Sequence, residues 1–189
     1  MATWANRIYE LRRDVVRPAH VDAAEQWLMK MMPKRPSNRA CLGFWEVQIG
    51  VLNQFVGIWQ FKSLTDRGET LNCPHMADKA WESEMDPTRP FPYAQSNLLM
   101  KLIYRESNIS RLRYNYLMQF TDSKEIETPP GSILAATFQV VVGSPEGKYV
   151  HLIKNNSPDG VIPLTPILGN SSLLMKPAQC AQIMRCVWQ

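Results

Sequence analysis

Chemistry in this chain would have to come from a thin set of side chains. His20, His75 and His151 lie far apart, and the cysteines Cys41, Cys73, Cys180 and Cys186 form no Cys-x-x-Cys pair and no cluster with metal-ligand spacing. Cys73-Pro74-His75 sets a thiol next but one to an imidazole, the residue types of a nucleophile and its base or of two metal ligands. Nearness along the chain does not bring two side chains together, however, and the proline between them reads as a helix break beside a buried thiol. Glu82, Glu84 and Asp86 have the chemistry for acid–base or metal work. Residues two apart on a helix do not share a face, so they read instead as a solvated acidic patch. Lys101 and Arg105 bracket a strand and could hold an anion; His20 reads as a surface or capping residue; His151, mid-strand, reads as cross-strand packing or as a ligand projecting into a barrel. There is no glycine-rich phosphate loop, Ser-His-Asp set or Walker pattern. The sequence therefore assigns no catalytic residue, no metal ligand and no cofactor.

Composition narrows the class. The 189 residues are 45% hydrophobic and 20% charged, enough to bury a sizeable core in one domain or two small ones. The net charge of +4 is scattered, with short clusters at Arg12-Arg13 and Lys34-Arg35, which reads as a solvated surface rather than a nucleic-acid face. No apolar run approaches the roughly 20 residues of a membrane span. The first residues have neither an apolar signal core nor a typical transit-peptide composition. The thiols are expected to be reduced and partly buried.

The elements that would position these residues follow from spacing. Arg7 to Val16 reads as a strand. Pro18 opens a helix whose apolar residues Val21, Ala24, Leu28 and Met31 make one stripe, ended by Pro33 and Pro36. Leu42 to Gly50 alternates as a strand. The run Val47 to Phe61 holds two glycines among β-branched and aromatic residues, which disfavours one long helix and predicts a hairpin reversing at Gly50 to Asn53. Gln54 to Phe61 is then a strand apolar on both faces. Ser63 and Asp66 resemble a capping box for a helix over Leu64 to Leu71. Pro74 starts a second helical piece through Met85, three prolines between Asp86 and Pro92 make a loop, and Ser96 to Tyr104 is a strand. Strand, helix, strand, strand, helix, strand is the split unit of ferredoxin-like folds. It is a four-stranded antiparallel sheet with both helices on one face and the other face in need of a second sheet, from a partner or from the same chain.

Within this order, particular residues carry a resemblance. Tyr9-Glu10-Leu11-Arg12, Gly43-Phe44, Ile49-Gly50-Val51-Leu52, Trp59 to Phe61, Ser63-Leu64, Arg67, Glu69 and Ala80-Trp81 resemble the NIPSNAP family of the dimeric α/β-barrel superfamily over residues 7–105. Val51 stands where that family usually has glutamate. The resemblance implies an α+β, ferredoxin-like barrel domain at 1–105 and a mitochondrial setting. With no catalytic constellation and no concentrated basic face in the sequence, that setting gives the expectation of a non-catalytic accessory subunit of an inner-membrane-associated complex, bound to protein partners or to a second copy, with no nucleic acid. Relatives in the superfamily that bind or degrade haem supply the alternative, a haem- or small-molecule-binding barrel of monooxygenase type.

Residues 106–189 match no motif. Leu112 to Phe120 reads as a strand and Asp122 to Gly131 as a loop where a first helix could have stood. Ile133 to Val142 and Lys148 to Lys154 read as strands joined by a glycine-proline turn, and Pro177 to Val187 as a short helix. No internal repeat is evident. This segment is either a degenerate second half that closes an internal barrel or a β extension made to lie on a partner.

Overall fold

The computed structural model describes residues 7–31, 40–71, 94–106, 115–143, 147–155 and 172–178. The expected helical piece around Ala80-Trp81, the proline loop at 86–92 and the helix after residue 178 fall outside them.

β1 (Ile8–Val15) leads through a 3-10 turn at Pro18–His20 into α1 (Val21–Met31). β2 (Ala40–Ile49), β3 (Gln54–Phe61), α2 (Leu64–Leu71) and β4 (Ala94–Arg105) follow. The chain reverses at Gly50 with φ +123° and Asn53 with φ +56°, both left-handed positions that suit these residue types. β3 is buried at all 8 positions. Its Phe55, Trp59 and Phe61 share a layer with Phe44, Ala24 and Leu28 of α1, while Val56 and Ile58 join the barrel interior. α2 is capped nearly as its sequence implies. The Ser63 hydroxyl accepts from the Asp66 amide at 3.0 Å, and the Asp66 carboxylate accepts from the Lys62 amide at 2.7 Å, one residue earlier than in a standard box.

The second half supplies β5 (Asn115–Thr121), β6 (Ile133–Val142), β7 (Tyr149–Asn155) and β8 (Ser172–Pro177). Together the strands close a mostly-sheet antiparallel barrel in the order β1-β3-β2-β8-β5-β7-β6-β4. The layer needed by the first sheet thus comes from the same chain, and none of the described strands is left with an open edge. The strand β8 was not legible: Ser-Leu-Leu-Met-Lys-Pro has no period-2 alternation, and both its faces are buried. The helix expected from Pro177 does not begin there, since Pro177 ends β8 opposite Trp45.

Each half has the ferredoxin-like strand order, β4-β1-β3-β2 in the first and β8-β5-β7-β6 in the second. The registers coincide. Tyr9 pairs with Gln60 and Met100, and Tyr116 with Lys154 and Met175. Phe44 pairs with Gly57, and Thr137 with His151. The joins repeat as well, with Val47 opposite Met175 and Val140 opposite Met100. Superposed by register, Ser-Asn-Leu-Leu-Met-Lys at 96–101 matches Ser-Ser-Leu-Leu-Met-Lys at 171–176. Trp-Glu-Val-Gln-Ile-Gly at 45–50 likewise matches Phe-Gln-Val-Val-Val-Gly at 138–143. The chain is an internal repeat about an axis running along the barrel, a repeat that the sequence alone did not disclose.

Candidate functional site: the interior and ends of the barrel

Tyr9 and Tyr116 occupy equivalent positions on opposite strands, and Trp45 is equivalent to Phe138. Tyr9 meets Phe138 edge-on at 5.3 Å between ring centroids, reaching across β4; Tyr116 meets Trp45 edge-on at 5.6 Å, reaching across β8. Both pairs are fully buried in the main core, so four aromatic rings related by the repeat join the two halves. The Tyr9 hydroxyl and the Trp45 indole N–H are buried there without a hydrogen-bond partner. Burial pushes the Tyr9 phenol up, against the pull of the Arg7 and Arg105 charges. Gln60, beside the Arg7 guanidinium, and Lys154 stand at this same end, paired with Tyr9 and Tyr116.

At the other end Arg13, nearly buried, lays its guanidinium 5.3 Å from the centre of the Phe120 ring and donates from Nε to the Ser96 hydroxyl at 3.0 Å. Arg13 and Phe120 are repeat equivalents, so a cation and a ring face each other across the interior. Around the closed ring of antiparallel strands β2 and β6 run the same way, so the turns after them open at this end. The ends of β2 and β6 and the turn after β2 expose Ile49, Val51, Leu52, Val141 and Val142 there.

His151 does not project into the barrel. Val150 and Leu152 on either side of it lie in the interior core, so its ring lies on the outer face, beneath the segment that replaces a first helix in the second half. It is wholly buried. Its Nε2 lies 3.0 Å from the Ser123 carbonyl, which can only accept, so Nε2 carries the proton. The Thr121 hydroxyl, 2.9 Å away, donates to that same carbonyl and shares the imidazole N–H. Nδ1 then accepts from the Thr137 hydroxyl at 3.1 Å. Burial holds His151 below the usual histidine range, opposed by the Ser123 carbonyl.

The remaining sequence candidates do not converge. His20 ends the 3-10 turn that leads into α1. Lys101 lies exposed on β4, and Arg105 sits at its end beside Tyr9. The Cys41 thiol is buried and points to the Gly43 carbonyl at 3.5 Å. Cys73, His75, Glu82, Glu84, Asp86, Cys180 and Cys186 fall outside the described residues. Among the described residues no group of three or more His, Cys, Asp or Glu could hold a metal ion, and no helix is long and apolar enough to cross a membrane. Missed by sequence reading were Tyr9, Trp45 and Tyr116 as a set. Their signal was the Tyr-x-Leu/Met spacing of β1 and β5, which only the repeat makes visible.

The family model for NIPSNAP matches residues 9–103, just over half of the 189 residues. The chain belongs to the NIPSNAP family. No curated protein matches this NIPSNAP chain. Among solved structures, it is similar to a NIPSNAP family protein of unknown function from Agrobacterium tumefaciens. The identity is 26% and the TM-score 0.44, covering 51% of this chain and 88% of that one. It is also similar to a NIPSNAP-like domain protein from Burkholderia xenovorans at 23% identity and TM-score 0.43, covering 57% and 92%. Over nearly its whole length it is similar in fold to an anthrone oxidase-like protein, at 10% identity and TM-score 0.60, covering 91% of both chains. The full eight-stranded arrangement is thus a dimeric α/β-barrel type of fold, and the family match lies within its first half.

Proposed function

We propose that this NIPSNAP chain is a non-catalytic interaction protein that docks on protein partners through the two hairpin tips at one end of its barrel. One observation carries the reading. Val51 and Leu52, in the turn after β2, are 53% and 59% exposed, and Val141 and Val142, at the end of β6, are 52% and 58% exposed, and the repeat brings both to the same end. All the strands already have two neighbours, so added contact has to come from tips and outer faces rather than from sheet edges. Apolar residues grouped at exposed turns mark interaction surfaces more often than singly scattered ones do. The family resemblance gives the proposal its setting, an accessory subunit of a mitochondrial, inner-membrane-associated assembly.

The test is native electrophoresis of gently solubilised mitochondria carrying a tagged copy. The wild type is expected in a high-mass band. Leu52→Glu combined with Val141→Glu should release it at its own 21.7 kDa with an unchanged melting temperature. Wild-type protein running at that small mass in the extract would end the reading. A second reading, a small-molecule-binding barrel, is favoured by the unpartnered Tyr9 and Trp45 atoms.

A further inference from the structure

We propose that the outer face of the β4–β6 join docks a protein partner that brings a carboxylate set among apolar residues, and that this carboxylate pairs with Lys101. This rests on the docking reading above and names the chemistry of what docks. The repeat supplies the comparison. At the β2–β8 join Glu46 stands opposite Lys176 in register and pairs with it at 3.0 Å. At the β4–β6 join the equivalent residues are Gln139 and Lys101, again opposite each other. The lysine is kept, and its acid is replaced by an amide. Lys101 is exposed, and its side chain makes no ion pair or hydrogen bond among the described residues. An ammonium and an amide facing each other are two donors to one incoming carboxylate, the group that Glu46 supplies from within at the other join.

The surroundings of the two lysines differ in the same sense. Leu98, Met100 and Val140 pack into the interior, so Leu99, Lys101, Gln139 and Val141 face outward. Around Lys176 the chain seals the matching residues itself. Leu174 packs with Ile126, and Ala178 lies in the layer beneath α1. Around Lys101, Leu99 is only half-buried, and Ile103, in the place of Ala178, is 40% exposed. Exposed Val141 stands where the first half has Gln48. The join with less cover is therefore the more apolar one, which marks a surface that a partner covers. Val141 also belongs to the hairpin end, so the face continues from the docking tips along β4. Glu106, the next acid along the chain, accepts from the Tyr104 hydroxyl at 3.0 Å. A lipid surface is held by clusters of basic residues, whereas one lysine flanked by apolar side chains matches one acid on a protein.

The test is carbodiimide coupling, which joins an amine directly to a carboxylate in contact with it, applied to the high-mass band and read by peptide mass spectrometry. Lys101 is expected to be joined to an aspartate or glutamate of another protein, and Lys176 to Glu46 in the same sample as the internal standard. Lys101→Glu should lower the share of the chain in that band by roughly tenfold or more, because like charges set together at an interface oppose binding strongly. Its melting temperature should stay as in the wild type, and Lys101→Arg should keep the chain in the band. Wild type running at its own small mass would end the docking reading and this inference with it. Three results would overturn this inference alone, with the wild type still in the band. Lys101 could be joined to a peptide of this chain, which would mean a second copy or an internal pair. It could stay unjoined while Lys176 and Glu46 are coupled. Lys101→Glu could remain in the band. Flotation of the purified chain with vesicles of phosphatidylcholine and cardiolipin, lost in Lys101→Glu, would assign the face to a membrane and overturn it as well.

Discussion

In the first half Phe44 stands opposite Gly57; at the same register in the second half, Thr137 stands opposite His151. A Cβ on Gly57 would come within 2.9 Å of the Phe44 ring, so the glycine is the space the ring fills. In the second half the large residue has moved to the partner strand, and the small one carries a hydroxyl that the imidazole uses. What covers the two positions differs accordingly. Over the first lies α1, with an apolar stripe that packs on Phe44, Phe55 and Trp59. Over the second lies an irregular segment whose Ser123 carbonyl accepts from His151 as well as from the Thr121 hydroxyl. The same strand frame is thus finished by a hydrophobic seal on one side and a hydrogen-bonded seal on the other. The interior joins change little, because each half must still meet the other at the same register. The outer faces are free to diverge, because each meets only its own cover.

If the two halves are equivalent at their joins, the largest effects should come in equal pairs. Gly50 and Gly143 have φ of +123° and +124°. A Cβ there would meet Leu173 at 2.6 Å and Leu98 at 2.5 Å, and the backbone oxygens of Ser172 and Asn97 at 3.2 and 3.1 Å. Gly50→Ala and Gly143→Ala should each cost about 2–4 kcal/mol, from backbone strain and overpacking together. Urea unfolding would show it, and a difference of more than about twofold between the two would break the equivalence.

A smaller effect sharpens the contrast of the outer faces. Thr137→Phe alone should destabilise by about 2 kcal/mol, by forcing a ring against His151 and orphaning Nδ1. Adding His151→Gly recreates the pairing of the first half and should return about 1 kcal/mol or more of coupling in a double-mutant cycle. Strictly additive losses would show that the cover, not the facing pair, decides the site.

The buried pair of Glu10 with Arg67 offers a third contrast. Glu10 accepts from the Arg67 guanidinium twice, at 2.9 and 3.0 Å, tying α2 to the outer face of β1, where its repeat equivalent is the core residue Leu117. Glu10→Leu should cost about 1–2 kcal/mol by leaving the half-buried guanidinium unpaired. Glu10→Leu with Arg67→Met, which copies the apolar solution of the second half, should recover most of it. Thermal or urea unfolding of the two variants measures both.

How much of this could be read from residues alone follows the same division. The first half was legible because its elements are bounded by strong local signals: Pro18, the Gly50 and Asn53 turn, Ser63 with Asp66. Residues on β3 could even be sorted by face, since Phe55 and Trp59 alternate with Val56 and Ile58. In the second half the β6–β7 hairpin was marked by its Gly143-to-Gly147 turn, but the rest lacked such marks. Its first cover is not a helix, so no 3.6-residue period announces it, and β8 is apolar on both faces, so no alternation does. The repeat was hidden because its one close match is a short stretch, 96–101 against 171–176, and elsewhere equivalence runs through register, with Trp45 matched to Phe138 and Gly57 to His151. The interior site was hidden for the same reason: Tyr9, Trp45 and Tyr116 are far apart in sequence, and nothing local says that they meet.

The smallest effect is the pH dependence, and its sign follows from the hydrogen-bonded seal. His151 is held below its ordinary value of 6.5 in the folded chain, chiefly by burial. The unfolded chain therefore binds more protons near and below that pH, and stability falls as pH falls through about 6.5. The slope can reach about 1.4 kcal/mol per pH unit for one proton, and it lapses once the pH drops below the folded value. Above pH 7 the imidazole is neutral in both states and contributes no slope. Melting curves from pH 7.5 to 5 should show the decline, and His151→Gln, which keeps a donor for the Ser123 carbonyl, should flatten it. The first half has Gly57 in the matching place and supplies no such proton. An undiminished decline in the variant would move the pH sensitivity out of the seal and onto other groups.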